Sequence, residues 1–348
     1  MSKSEEKNQL IECVPNFSEG QNRHVIEQIA SEVESVVGVK LLNVDIGKAA
    51  NRTVFTFAGS PAAVCEAAFR AVKKAAQLID MRSQKGTHPR IGACDVLPLV
   101  PLAHISIDEV AQYARSLGER IGSELQIPVY CYEHAAFSVH RQNLANCRSG
   151  EYEGLAQKIA TSKWKPDFGP GVFTDSVART GATIVGARPF LIAYNVNLET
   201  DSVSVAQKIA CELREKGCRK RKNGMPIGDF VPGKFKKVKA IGWFIDDYGI
   251  AQVSFNLVDF ELTSMHHVFE AVVSSAQEYG VKVSGSELIG LVPLKAMTDA
   301  GKYFLEKQNL PLNVPESHLV DAAIQFLKLD DLAPFHPADR IIEYRMAE

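Results

Sequence analysis

No apolar run in this 348-residue chain approaches the roughly 20 residues needed to cross a bilayer. The opening stretch, Met1 to Gln9, is charged and polar where a secretory leader would be apolar. Neither membrane anchoring nor secretion is expected. Excess charge is missing too: 39 Lys and Arg stand against 41 Asp and Glu, a formal net charge of −2. That balance argues against wholesale binding to nucleic acid or to a membrane surface and favours a small polar ligand. The seven cysteines, at 13, 65, 94, 131, 147, 211 and 218, contain no Cys-x-x-Cys pair. A zinc or dithiol site is therefore not signalled, and the odd, scattered set fits a reducing cytoplasm. The glycine-rich stretch 169–186 lacks both the Gly-Lys-Ser/Thr ending of a phosphate loop and the dinucleotide Gly-x-Gly-x-x-Gly spacing.

What is present is a repeated alternation of elements. A chain of this length exceeds one ordinary hydrophobic core, so two domains are expected. Residues 10–17 form a strand candidate, 22–35 a helix with Val25, Ile29 and Val33 on one face, and 39–45 and 53–58 two more strands. A long alanine-rich helix follows from Pro61 to about Ile79, with proline suited to its first turn, and a strand from Ala93 to Val100. The second half reads the same way: strand 190–196, helix 202–215, strands 238–245 and 250–257, helix 265–279, strand 281–292. Both halves close on the same tetrapeptide, Leu99-Val100-Pro101-Leu102 and Leu291-Val292-Pro293-Leu294. The expectation is an α/β (α+β) chain of two ferredoxin-like βαββαβ subdomains with a cleft between them. Their bounds are set at 1–180 and 181–330, with a tail at 331–348 that braces the surface. The loop-rich stretch holding His134, His140, Arg141 and Pro166 to Pro170 is expected to be a hinge region.

The run Lys85-Gly86-Thr87-His88-Pro89-Arg90-Ile91-Gly92 joins the long helix to a strand. Loops at sheet edges are where catalytic groups concentrate. Gly86 permits unusual backbone angles, Pro89 pushes His88 toward extended geometry, and Arg90 sets a cationic fork beside the imidazole. Histidine titrates near neutrality, which suits it to proton transfer. By itself a lone histidine is more often a plain surface or core residue.

Around His88, the runs Glu12-Cys13-Val14-Pro15-Asn16-Phe17-Ser18-Glu19-Gly20 and Asn51-Arg52-Thr53-Val54-Phe55-Thr56 complete a pattern that resembles the glutamate formimidoyltransferase family. The resemblance continues through Asp167-Phe168-Gly169-Pro170, Gly181-Ala182-Thr183, Gly186-Ala187-Arg188, Gln252-Val253-Ser254 and Asn256-Leu257 to Ala333-Pro334-Phe335, so nearly the whole chain is covered. In animals the family domain is fused to a cyclodeaminase for which 348 residues leave no room, so a standalone transferase is expected. The resemblance implies transfer of a formimidoyl group from N-formimidoyl-L-glutamate to N5 of tetrahydrofolate, a co-substrate, in histidine degradation. It implies no metal, no nucleic acid or membrane partner, and a cytoplasmic homodimer.

Residue by residue, the resemblance makes His88 the catalytic histidine and Asp45 its acidic partner, either orienting the imidazole or stabilising the amidinium. Arg52 and Arg90 become candidate receptors for the donor's carboxylates, with Asn16 and Asn51 adding neutral hydrogen bonds. Gly169, Pro170, Gly171 and Gly181 fall at the ends of the folate-binding stretch, whose middle, 172–180, looks longer than the family's and different. Plainer readings stand beside each: Asp45 as a turn residue before Gly47, the arginines as surface ion-pair members, the asparagines as turn formers. The basic run 216–239, with Arg219, Lys220, Arg221 and Lys222, is either a solvated loop or an electrostatic attractor for polyglutamylated folate. His266 and His267 begin a helix, where adjacent side chains diverge, and carry no assigned role. Rival functions are a folate-dependent transferase using N-formyl-L-glutamate and a ferredoxin-like nucleic-acid-binding protein. No strand here carries the RNA-reading Lys/Arg-Gly-Phe/Tyr-Gly/Ala-Phe pattern.

Overall fold

The structure, a computed structural model, describes residues 9–48, 51–86, 89–222, 225–245 and 248–347. The chain divides into two compact units, one running to Pro189 and the other starting at Phe190. The break thus falls after the boundary expected at 180/181, because residues 183–187 form a strand of the first unit's sheet. Residues after 330 are not a separate tail: Ile341 bridges to Val292 and is buried with Ile342 in the second unit. No described helix is long and apolar enough to cross a membrane.

In the first unit the elements are β1 (Leu10–Cys13), β2 (Asn16–Phe17), α1 (Arg23–Glu34), β3 (Val39–Gly47), β4 (Arg52–Gly59), α2 (Pro61–Leu78), β5 (Cys94–Ala103), α3 (Ile107–Leu125), β6 (Val129–Glu133), α4 (Leu144–Arg148), α5 (Leu155–Ala160), α6 (Asp175–Thr180) and β7 (Thr183–Ala187). The strand expected at 10–17 is two short ones separated by Val14 and Pro15, and both pair with β4 and β5. Proline cannot donate to a ladder, but the Pro15 carbonyl still accepts from the Phe55 N–H at 3.0 Å. The sheet runs β3, β4, β1/β2, β5, β7, β6, with the β5–β7 and β7–β6 pairs parallel.

Local chemistry sets the helix ends. Asn22 accepts from the N–H groups of His24 and Val25 to start α1. Ser106 and Glu109 form a reciprocal capping box at α3, which stops at Gln126 in the left-handed region. Val64, Ala67, Ala68, Ala71, Val72 and Ala75 bury one stripe of α2 against the sheet. Opposite them stand Ile11, Phe55, Phe57, Leu97 and Leu99, all fully buried. Each such side chain contributes about 1.5–3 kcal/mol by leaving water. On the other sheet face a second core of Ile91, Val96, Tyr130, Tyr132, Leu155 and Ile159 packs under α4 to α6. The stretch expected as a hinge is therefore a packed layer of the first unit.

The second unit contains β8 (Ile192–Leu198), α7 (Val203–Leu213), β9 (Cys218–Lys222), β10 (Met225–Val231), β11 (Val238–Ile245), β12 (Ile250–Leu257), α8 (Met265–Glu278), β13 (Val283–Ile289), α9 (Leu294–Lys307) and α10 (Glu316–Leu327). Its main sheet is antiparallel in the order β11, β12, β8, β13. With β1 and β2 counted as one broken strand, both units show the order second, third, first, fourth. The basic run is a two-stranded hairpin, β9 with β10, rather than a plain loop.

Candidate active site

Strand alternation gathers the first set of candidates on one sheet face. Phe55 and Phe57 point into the helix-covered core, so Arg52, Val54 and Thr56 of β4 point the other way. Asp45 pairs with Val54, and Val54 pairs with Asn16. Directly opposed residues share a face, so Asp45 and Asn16 flank Val54 in one row, roughly 10 Å apart at two strand spacings. Asp45 is exposed, and its carboxylate accepts no hydrogen bond from the described residues. Asn16 is 5% exposed. Its Nδ2 donates to the Val14 carbonyl at 3.0 Å, while its buried Oδ1 has no partner among the described residues. An unsatisfied buried acceptor is uncommon in a folded protein.

Arg52 begins β4 on the same face. Burial pulls its guanidinium below the ordinary arginine value; Asp95 opposes that, Arg148 adds to it, and Asp45 opposes it again. Asp95 is 2% exposed. It accepts from the Ile91 N–H at 3.0 Å and from Arg148 through Nη2 at 2.6 Å and Nε at 3.3 Å. Burial pushes its carboxyl up from the usual range, against the pull of Arg148 and the Ile91 N–H. Asp95 and Arg148 were not among the expected site residues. A lone carboxylate inside the apolar run from Ala93 to Val100 was the signal available for the first; the second comes from a distant helix end and had none.

The loop that enters His88 is tied down from the same hairpin. Asn51, with φ of 48°, accepts at Oδ1 from the Gly20 N–H at 2.9 Å and donates from Nδ2 to the Lys85 carbonyl at 2.7 Å. Its own carbonyl accepts from Gln84 Nε2 at 3.1 Å. The side-chain amide expected to meet substrate thus has a structural task. Gly20 is required there, because a Cβ would stand 2.5 Å from the Arg52 nitrogen and 2.6 Å from the Gly47 carbonyl oxygen. His88 itself, with Thr87, lies outside the described residues.

Arg90, two residues on, is 8% exposed. Its Nη1 and Nη2 grip Glu153 at 2.9 and 2.6 Å, and its Nε donates to Gln84 Oε1 at 2.8 Å. Glu153 raises the Arg90 pKa in turn. A substrate carboxylate would have to displace Glu153, whose side chain is 65% exposed, to reach this fork. A cavity of about 550 Å³ opens beside it, lined by Lys85, Gly86, Arg90, Gly150, Glu151 and Glu153.

The folate-stretch candidates do not stay together. Gly181, at φ +68°, bridges to Gly92, and a Cβ there would lie 2.3 Å from the Ile91 carbonyl oxygen. That end of the stretch is stitched to the segment just after His88. Gly169, at φ +79°, packs instead on Gly122 and the Ile127 carbonyl. A Cβ added at Gly171 would meet nothing within 4 Å, and Pro170 stands between the two. Among the described residues no three His, Cys, Asp or Glu side chains form a metal-holding group.

Comparison with known proteins bears on this arrangement. Residues 10–188 match the family profile described as the formiminotransferase domain, N-terminal subdomain, and residues 193–347 match that of the formiminotransferase domain. A formimidoyltransferase-cyclodeaminase of Sus scrofa is 47% identical over 340 residues, which are 98% of this chain and 60% of that protein. A glutamate formimidoyltransferase of Streptococcus pyogenes serotype M1 is 41% identical over 313 residues, 89% of this chain and 99% of that one. Another, from Thermoplasma acidophilum, is 42% identical over 299 residues, covering 85% of this chain and 92% of its own. The chain thus spans about three fifths of the length of the cyclodeaminase relatives that it matches.

Proposed function

The chain belongs to the formiminotransferase family, and from that premise we propose that it moves the formimidoyl group of N-formimidoyl-L-glutamate to N5 of tetrahydrofolate, giving 5-formimidoyltetrahydrofolate and L-glutamate. The observation that carries this reading is the row on the first unit's sheet face opposite α2, where an exposed carboxylate, Asp45, stands in register with the buried acceptor of Asn16, which has no partner among the described residues. Both groups attract N–H donors, and the donor substrate reacts at a carbon flanked by two nitrogens that is cationic when protonated.

In this reaction the attacking nitrogen loses a proton and the departing glutamate nitrogen gains one. His88 serves both steps as base and then acid. Asp45 holds negative charge where the transferred carbon carries positive charge, an electrostatic contribution strongest in a site screened from water. Arg52 supplies a cation for a substrate carboxylate. Asn51 positions the loop before His88 through Lys85 and has no need to touch substrate. The segment from Gly169 to Gly181 contributes to the folate side, and a side chain at Gly171 would enter open space.

The test is a steady-state assay of the intact chain with N-formimidoyl-L-glutamate and tetrahydrofolate, run beside N-formyl-L-glutamate as an alternative donor. His88→Ala and Asp45→Ala are expected to keep the fold and lose most turnover. Full activity in both variants, or preference for the formyl donor, removes the proposal.

A further inference from the structure

The second unit's sheet carries a polar array that the reading above leaves unused. Tyr194, Val196 and Leu198 of β8 are buried on one face, and Asn195 and Asn197 point to the other. Cross-strand pairing places Ser254, Asn195 and Glu287 in one row and Trp243, Gln252 and Asn197 in the next. Asn195 is 3% exposed, while Asn197 and Gln252 are fully buried. The Nδ2 of Asn195 donates to Glu287 Oε1 at 2.9 Å. Gln252 Nε2 donates to Asn197 Oδ1 at 2.7 Å and to the same Glu287 oxygen at 3.3 Å. Asn197 Nδ2 donates to Asp331 Oδ2 at 2.9 Å, and the Trp243 indole N–H donates to Gln252 Oε1 at 3.1 Å.

An ionised carboxylate only accepts. Glu287 and Asp331 at the two ends therefore fix which way each amide points, without reliance on an arbitrary choice between nitrogen and oxygen. Each amide nitrogen of the array donates to an acceptor within it. What remains is a pair of acceptors from one row, Asn195 Oδ1 and Glu287 Oε2, neither of which has a partner among the described residues. Ser254, in the same row, and Asn256 also border a cavity of about 550 Å³ along β11, lined with Arg214, Glu215, Lys216, Lys239 and Ile241 and not reaching Asn195 or Glu287.

We propose that Asn195 and Glu287 form a receptor for an amidine-type edge, a carbon bearing two nitrogens that both present N–H groups. Two neighbouring acceptors without partners among the described residues, one of them charged, complement such an edge and repel a carboxylate. The inference rests on the transferase reading, in which two ligands carry this chemistry: the formimidoyl group of the donor, and the 2-amino and N3–H edge of the reduced pterin. Equilibrium binding of each ligand separates the two sources.

Glu287→Gln keeps one carbonyl oxygen for Asn195 and Gln252 and turns an NH2 toward the ligand. Calorimetric titration with N-formimidoyl-L-glutamate and, separately, with 5-formyltetrahydrofolate should show one of the two weakened by roughly 10- to 100-fold, as for loss of a charged hydrogen bond. The thermal midpoint should stay near that of the unmutated chain. Asn195→Ala removes the second acceptor and should weaken the same ligand; it is the deciding variant if Glu287→Gln does not fold. Asp331→Ala, at the inward end, should lower the thermal midpoint and leave both affinities unchanged. Folded Glu287→Gln and Asn195→Ala proteins that bind both ligands as the unmutated chain does overturn the receptor. So does an Asp331→Ala affinity loss equal to theirs, because the array would then be purely structural. If the unmutated chain binds neither ligand, the transferase reading has failed instead.

Discussion

The two units share a strand order but stabilise their buried polar groups by opposite means. The first sets each buried charge against an opposite one: Asp95 with Arg148, Arg141 with Asp167, and Arg90 with the exposed Glu153. The second buries neutral amides, Asn195, Asn197 and Gln252, and keeps a carboxylate at each end of their chain. In the low-dielectric interior a lost partner leaves a whole charge unsolvated in the first unit, against a dipole in the second. The first unit should therefore be strongly organised and brittle around its site, and the second tolerant of single changes.

The largest expected effect lies at a carboxylate to which no described residue donates a hydrogen bond. Asp45 is exposed and without a hydrogen bond to the described residues, so Asp45→Ala should leave the thermal midpoint unchanged while lowering kcat by roughly 100- to 1,000-fold. An unfolded variant, or an active one, would place Asp45 among the structural charges instead.

Next comes the contrast itself, read by urea unfolding. Arg148→Ala strands the buried Asp95 carboxylate and should cost about 3–5 kcal/mol. Gln252→Leu leaves Trp243 Nε1 and Asn197 Oδ1 without their neutral partner and should cost about 1–3 kcal/mol. Equal losses would erase the distinction between the units.

A third comparison sorts structural from ligand-facing glycines within one segment. Gly181→Ala forces a side chain into backbone torsions that only glycine adopts readily, at about 1–3 kcal/mol of strain, and pushes its Cβ against Ile91. Gly171→Ala meets open space and should change stability by no more than about 0.5 kcal/mol. A drop in folate affinity in Gly171→Ala without loss of stability would mark a ligand contact.

The last expected effect is a pH slope in the second unit. His266 is 6% exposed, and its ring lies within 3.0 Å of Ser264 Oγ. Its neighbour His267 approaches the same hydroxyl at 2.9 Å, with the two ring centroids 4.5 Å apart. The two side chains therefore converge where helical spacing led one to expect divergence. Burial pushes His266 down to about 4, with His267 adding to the fall and Asp299 and Glu270 opposing it. The folded state thus holds this ring neutral while the unfolded chain takes up a proton below about pH 6.5. Stability from this site is full above pH 6.5 and declines as pH falls toward 4. His266→Phe should flatten the dependence of thermal midpoint on pH across that window; an unchanged slope would assign the acid sensitivity to another group.

Much of the architecture was legible because it depends on short-range pattern. Pro61 at the start of α2, the alternation in β4 and β12, and the repeated order of strands and helices all follow from periodicity and capping, which a sequence displays directly. The motifs carrying Asn16, Asp45, Arg52 and the His88 loop were equally readable. Their tasks were not. Asn51 and Arg90 read as candidate substrate contacts, and the fold adds that they hold Lys85, Gln84 and Glu153. The loop-rich stretch from His134 to Pro170 read as a hinge, because a layer that covers a sheet face is defined by what it packs on and not by its own period.

The sequence by itself determined the element types, the twofold repetition, the family pattern and the near-neutral charge, since each depends on residues close together along the chain. Tertiary structure alone decided that Asp45 and Asn16 share a row, that Arg148 answers Asp95 across 53 positions, and that Glu287 and Asp331 orient three buried amides. Register and long-range pairing bring together groups whose separation along the chain carries no trace of their separation in space.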